Sequence, residues 1–225
     1  MARCRDPAVV GAKAARLARA RAAGLPVPDS VVVPCAASGP VLAAAAQTAA
    51  RRGVHAGRLE VMSADRTGLA ELVAWTRPLG TVLAVRSSSP REDEPDLAGA
   101  YGSMIGVRPE EFPTAVLSVW ASAVLDRATE GPAELAAPLM GVLVQRELVP
   151  AFAGTAEMLA GGSAEVIMTA GSAAGLMAGW EPGQRTVVSP SADASPPPAG
   201  SEAEAASLAA ALALQTAEKL GDNLI

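Results

Sequence analysis

An arginine, three serines and an acidic pair stand together in Arg86-Ser87-Ser88-Ser89-Pro90-Arg91-Glu92-Asp93. A guanidinium grips phosphate oxygens in a fork, and hydroxyl and backbone N–H groups donate to the same oxygens. The run therefore has the chemistry of an anion cradle. An ordinary hairpin whose arginine pairs with Glu92 or Asp93 accounts for the same residues equally well. The elements that must position this loop are short. Thr81 to Val85 is an apolar, β-branched run that reads as a buried strand, and Met104 to Val107 reads as a second one. Small residues, Ala98 to Ser103, join them.

The chain has 225 residues, enough for one large domain or two small ones with a sizeable core. Half of the residues are hydrophobic and only 3% are aromatic, so the core is aliphatic and finely divided. A formal charge of −5 argues against nucleic-acid binding, which calls for a basic face. Two cysteines and one histidine form no zinc or redox motif. Nothing resembles a signal peptide, and no apolar run reaches the ~18 residues of a membrane span. A cytoplasmic, reduced protein is the expectation.

Along the chain, Asp6-Pro7 is a capped helix start, and Gly24 with Pro26 is the matching stop. Ser30 to Val33 reads as a strand and Gly39 to Arg52 as a helix. Leu59 to Met62 reads as extended. Ser63 or Asp65 is expected to cap a helix with Leu69, Leu72, Val73 and Trp75 on its apolar face. Pro109-Glu110-Glu111 opens a helix carrying Val116, Val119, Trp120, Ala123 and Val124. Strands are expected at Met140 to Val144, Phe152 to Met158, Glu165 to Thr169 and Thr186 to Val188. The proline-rich span from Ser189 to Gly200 reads as a surface linker, and Ser201 opens a long helix to Leu220. Short strands interleaved with helices, some strands consecutive, give an α+β class. The expected organisation is an N-terminal lobe over 1–135 and a second lobe over 136–225.

Two stretches resemble a known family. Gly11-Ala12-Lys13-Ala14-Ala15 followed by Ala23-Gly24-Leu25-Pro26-Val27-Pro28 is similar to the start of the pyruvate phosphate dikinase and phosphoenolpyruvate synthase family. Val85-Arg86-Ser87-Ser88, Glu92-Asp93 and Ala98-Gly99 resemble that family's second signature. Gly141 to Gln145, Ala153-Gly154 and Gly175 to Gly179 are looser landmarks. The resemblance implies the family's N-terminal ATP-grasp domain, found also in rifampin phosphotransferases. That is a two-lobed, nucleotide-binding fold with a C-terminal helix. It implies that Lys13 reaches the nucleotide phosphates, that Arg86 clamps them and acts in catalysis, and that Ser103 stands in for a phosphate-contacting threonine. Gln145, Glu147 and Leu148 match the hinge that meets the adenine edge.

The implied activity is the ATP-binding step of a phosphotransferase that passes a phosphoryl group to a histidine or small acceptor. ATP and Mg2+ are the implied cofactors. Further domains, or a separate subunit carrying the metal site and phosphohistidine, are the implied partners. Departures are plain. The loop Thr155-Ala156-Glu157-Met158-Leu159 lacks the family's arginine, and Met168 stands where a glutamate is usual. The family's magnesium-binding carboxylates are expected beyond Ile225. No P-loop or G-x-G-x-x-G is present. The alternative is a non-catalytic, degenerate ATP-grasp-like binding or interaction module.

Overall fold

The structure is a computed structural model that describes residues 5–92, 94, 97, 99–125, 139–189 and 197–221. Its contacts divide the chain into two compact units, Met1–Arg19 with Val27–Glu147, and Ala20–Pro26 with Leu148–Ile225. The lobe boundary expected near residue 135 thus moves to 147/148. The physical reason is that the strand expected to open the second lobe is a central strand of the first unit's sheet.

Helix α1 (Pro7–Val10) opens the first unit, with the Asp6 carboxylate accepting from the Ala8 N–H as expected of a cap. Gly11 separates it from α2 (Ala12–Ala22). Strand β1 (Ser30–Val33) leads into α3 (Cys35–Arg52). That helix begins a turn before the expected Gly39 and keeps Pro40 inside it. Leu59 to Met62, expected to be extended, instead forms the end of α4 (Val54–Met62). There α4 packs against α3 and against α7 (Phe112–Ser122) and buries Val61, so tertiary packing overrides the β-branched content. The single helix expected after Asp65 is two pieces, α5 (Thr67–Glu71) and α6 (Val73–Thr76). The break at Leu72 turns Trp75 outward, 67% exposed, rather than into the core. At its start Asp65 accepts from the hydroxyl and N–H of Thr67, which holds its carboxyl below the usual range.

Strands β2 (Leu83–Ser88), β3 (Ser103–Val107) and β4 (Gly141–Arg146) complete a four-stranded sheet of order β1-β4-β2-β3, antiparallel throughout. β4 is buried along Gly141 to Gln145, the continuous apolar reading of a strand covered on both faces. On one face Leu83, Val85, Val142 and Val144 join Leu42, Phe112, Val116 and Trp120 in the main core. On the other, Leu143 and Val32 pack with Val10, Ala14 and Ala15 of α1 and α2. The Trp120 indole N–H donates to the Met140 carbonyl at 3.0 Å, tying α7 to the start of β4.

The second unit is a three-stranded antiparallel sheet, β5 (Phe152–Met158), β6 (Ala164–Ala170) and β7 (Gln184–Val188) in sequence order. The short α8 (Ala174–Met177) lies in the β6–β7 connection. The long α9 (Glu202–Leu220) covers one sheet face through Ala206 and Ala210 against Ala164, Val166 and Met168. Ser201 caps α9 as expected. Most of the linker reading over 189–200 lies outside the described residues. Mixed helix and antiparallel sheet throughout is the α+β class read from the sequence.

Candidate phosphate-facing site

Side chains alternate along a strand, so the register decides which residues share a face. Arg86 lies opposite Leu143 on β4 and opposite Ser103 on β3. Gln145 lies opposite Ala84, two residues along β2 from Arg86. Arg86, Ser103 and Gln145 therefore share one face, with Arg86 and Gln145 diagonal neighbours at about 7–8 Å. It is the same face on which α1 and α2 pack over Leu143. Arg86 is half-buried, Ser103 exposed and Gln145 buried. Among the described residues, nothing forms a hydrogen bond or ion pair with the Arg86 guanidinium.

Lys13 reaches this sheet from α2. Its ammonium donates to the carbonyl of Ser87, the residue after Arg86, at 2.9 Å, and to Glu92 Oε1 at 2.5 Å. Both side chains are largely enclosed, 26% and 16% exposed. What holds α2 against the serine strand is a close backbone contact. Gly11 has φ +82, and a Cβ there would lie 1.8 Å from the Ser88 carbonyl oxygen. Only glycine permits both the left-handed conformation and the approach. Ala12 N–H then donates to the Ser89 carbonyl at 2.9 Å, and Ala14 N–H to Ser88 Oγ at 3.0 Å.

The three serines expected to cradle an anion are turned inward. All three are buried. Ser88 caps α2, Ser89 Oγ accepts from the Arg91 N–H, and Ser87 Oγ sits 3.5 Å from Glu92 Oε1. The alternative hairpin is also corrected in part, since Glu92 pairs with Lys13 and not with Arg86. Asp93 lies outside the described residues. From the sequence, Glu92 reads as a pairing partner for the arginine and as part of the family signature, not as a partner of Lys13.

At the end of β4 the Glu147 N–H donates to the Val82 carbonyl. Its carboxylate accepts from the Gly106 N–H at 2.6 Å. Gly106 has φ +71 and lies where the β2–β3 register shifts, so the Glu147 side chain anchors a β-bulge. Both its N–H and its carboxylate are thus engaged within the first unit. Leu148 is 60% exposed and begins the second unit. At the opposite end of β4, Cys35 opens α3 beside Gly141, and burial raises its thiol pKa.

Lys13, Arg86 and Ser103 supply an ammonium, a guanidinium and a hydroxyl, a donor set that fits a polyphosphate. Magnesium is different. Among the described residues, no group of three or more His, Cys, Asp or Glu side chains could hold a metal ion. No helix of the described residues is long and apolar enough to cross a membrane. No family model matches this chain, and no curated protein matches it in sequence.

Proposed function

We propose that the chain is an ATP-grasp-like module that binds the polyphosphate of a nucleotide on the open part of its four-stranded sheet. One observation carries the reading. The register sets Arg86, Ser103 and Gln145 on one face, and Lys13 reaches the carbonyl next to Arg86 from α2. Ser103 faces Arg86 across the β2–β3 pair, while Gln145 and Lys13 come to it from β4 and α2. In this reading Arg86 clamps the phosphates, Lys13 adds a point charge, and Ser103 donates a hydroxyl bond. The Gln145 side chain and the Glu147 carbonyl are the groups this reading sets at the adenine edge. Phosphoryl transfer depends on a fixed metal, and the described residues do not fit one, so no transfer step is assigned to them. The reading is the nucleotide-binding part of a phosphotransferase of the phosphoenolpyruvate synthase and pyruvate phosphate dikinase type.

Calorimetric titration with Mg-ATP tests it. The wild type binds weakly, and Arg86→Ala binds about tenfold or more weakly still, because charge-assisted bonds contribute roughly 1.5–3 kcal/mol each. Equal affinity for both proteins, or no binding at millimolar nucleotide, removes the assignment. A second reading, the non-catalytic module, is favoured by the engagement of Lys13 with Glu92 and of the serines with α2.

A further inference from the structure

We infer that Glu92 is an internal stand-in for the incoming phosphate, and that the Lys13–Glu92 pair keeps the anion site occupied until a polyphosphate displaces it. The inference rests on the reading of this face as a phosphate site and concerns how that site is regulated.

Three observations support it. Lys13 donates to the carbonyl of Ser87, the residue after Arg86, and a carboxylate already holds it. That carboxylate is half used. Glu92 Oε1 takes the ammonium and lies near Ser87 Oγ, while Oε2 is buried with no hydrogen-bond partner. A residue kept only to anchor a lysine ordinarily satisfies both oxygens, because an unpaired buried acceptor is costly. The helix end cannot serve as the anion site either, because the Ala12 and Ala14 N–H groups are bonded to Ser89 and Ser88. Recognition is left to side-chain charge. With Lys13 neutralised, Arg86 is the cation on this face without a partner among the described residues.

A phosphate that takes Lys13 as a partner must displace the carboxylate that holds it. Releasing Glu92 frees an ammonium that keeps one of its three donors on the Ser87 carbonyl. Charge alone, not a new pocket, is what changes. Glu92→Gln keeps the shape and deletes the charge.

The test is titration of wild type, Glu92→Gln and Glu92→Gln/Lys13→Met with inorganic tripolyphosphate and with Mg-ATP, beside Arg86→Ala. The expected result is about tenfold tighter tripolyphosphate binding by Glu92→Gln, a steeper loss with salt, and return to the wild-type value in the double variant. Thermal melting checks folding. Glu92→Asp, which shortens the reach but keeps the charge, is expected to bind more weakly than Glu92→Gln. Arg86-dependent binding that is equal or weaker in Glu92→Gln makes Glu92 a positioning residue for Lys13, and overturns the inference while the site stands. Absence of Arg86-dependent binding in every variant overturns both.

Discussion

The four-stranded unit packs its central strands on both faces and leaves β3 largely exposed, whereas the three-stranded unit has one long helix on one face. In the first, the fully buried side chains are large, among them Phe112, Leu42, Leu83, Leu117 and Met140. In the second, the core cluster is Ala164, Val166, Met168, Ala206 and Ala210, with Leu25 and Ala213 also buried. Its other face exposes Thr155, Glu157, Arg185 and Val187. Between β5, β6 and α9 the small residues leave a groove of about 320 Å³ lined by Gly154, Ala156, Ala205, Ala209 and Thr216 among others. Interiors gain cohesion from close packing, so the first unit is the rigid support and the second the weakly held one. The charged constellation sits on the rigid unit. A site whose geometry must be held within fractions of an ångström belongs there.

The comparison is sharpest at the junction of α2 with the serine strand. Gly11→Ala is expected to cost more than about 4 kcal/mol, or to prevent folding of the first unit, because the new Cβ meets the Ser88 carbonyl at 1.8 Å in a left-handed conformation. Denaturant melting measures this, and a loss below about 1 kcal/mol would mean that the contact is not maintained in solution. Next in size is a pair of core truncations. Leu117→Ala in the first unit should cost about 3–4 kcal/mol, and Val166→Ala in the second about 1–2 kcal/mol. Native-state hydrogen exchange should show β4 and β2 amides protected beyond β5 and β6 amides. The reverse order would break the distinction between the units.

Lys13→Met is the next test. It leaves the Glu92 carboxylate enclosed with neither oxygen paired to a cation, and should cost about 1–3 kcal/mol, the smaller figure reflecting the partial exposure of the pair. Lys13→Met/Glu92→Gln should recover part of the loss, because the second change removes the uncompensated charge. A double variant no more stable than Lys13→Met would show that the pair is not what the lysine provides. The smallest effect is expected at Tyr101. Its hydroxyl is buried in the first unit with no hydrogen-bond partner. Tyr101→Phe should be neutral or stabilising by up to about 1 kcal/mol. A clear destabilisation would reveal a partner for that oxygen.

Lys13 and Ser103 drew their candidate roles from the family resemblance, while Arg86 and the serine run were readable as anion-binding chemistry by residue type. The caps at Asp6 and Ser201 were also readable, because local side-chain to backbone bonds depend on residues two or three apart. Less legible were elements whose neighbours overrule their own preference. Leu59 to Met62 reads as extended by composition and becomes helical because α3 and α7 supply its packing. The β4 strand read as the start of the second lobe, and joins the first because its two faces are both covered by residues from before position 125.

By itself the sequence determined the α+β class, most of the element boundaries and the charged and hydroxyl groups available to an anion. It did so because helix caps, strand runs and glycine stops act over a few residues. Only the tertiary structure decided which of those groups remain open. Strand register set Arg86, Ser103 and Gln145 on one face. The Gly11 contact brought α2 against the serine strand, turned the hydroxyls inward and placed Glu92 on Lys13. Pairings across more than 70 residues of chain depend on how sheets and helices stack, and no local pattern of residue types encodes them.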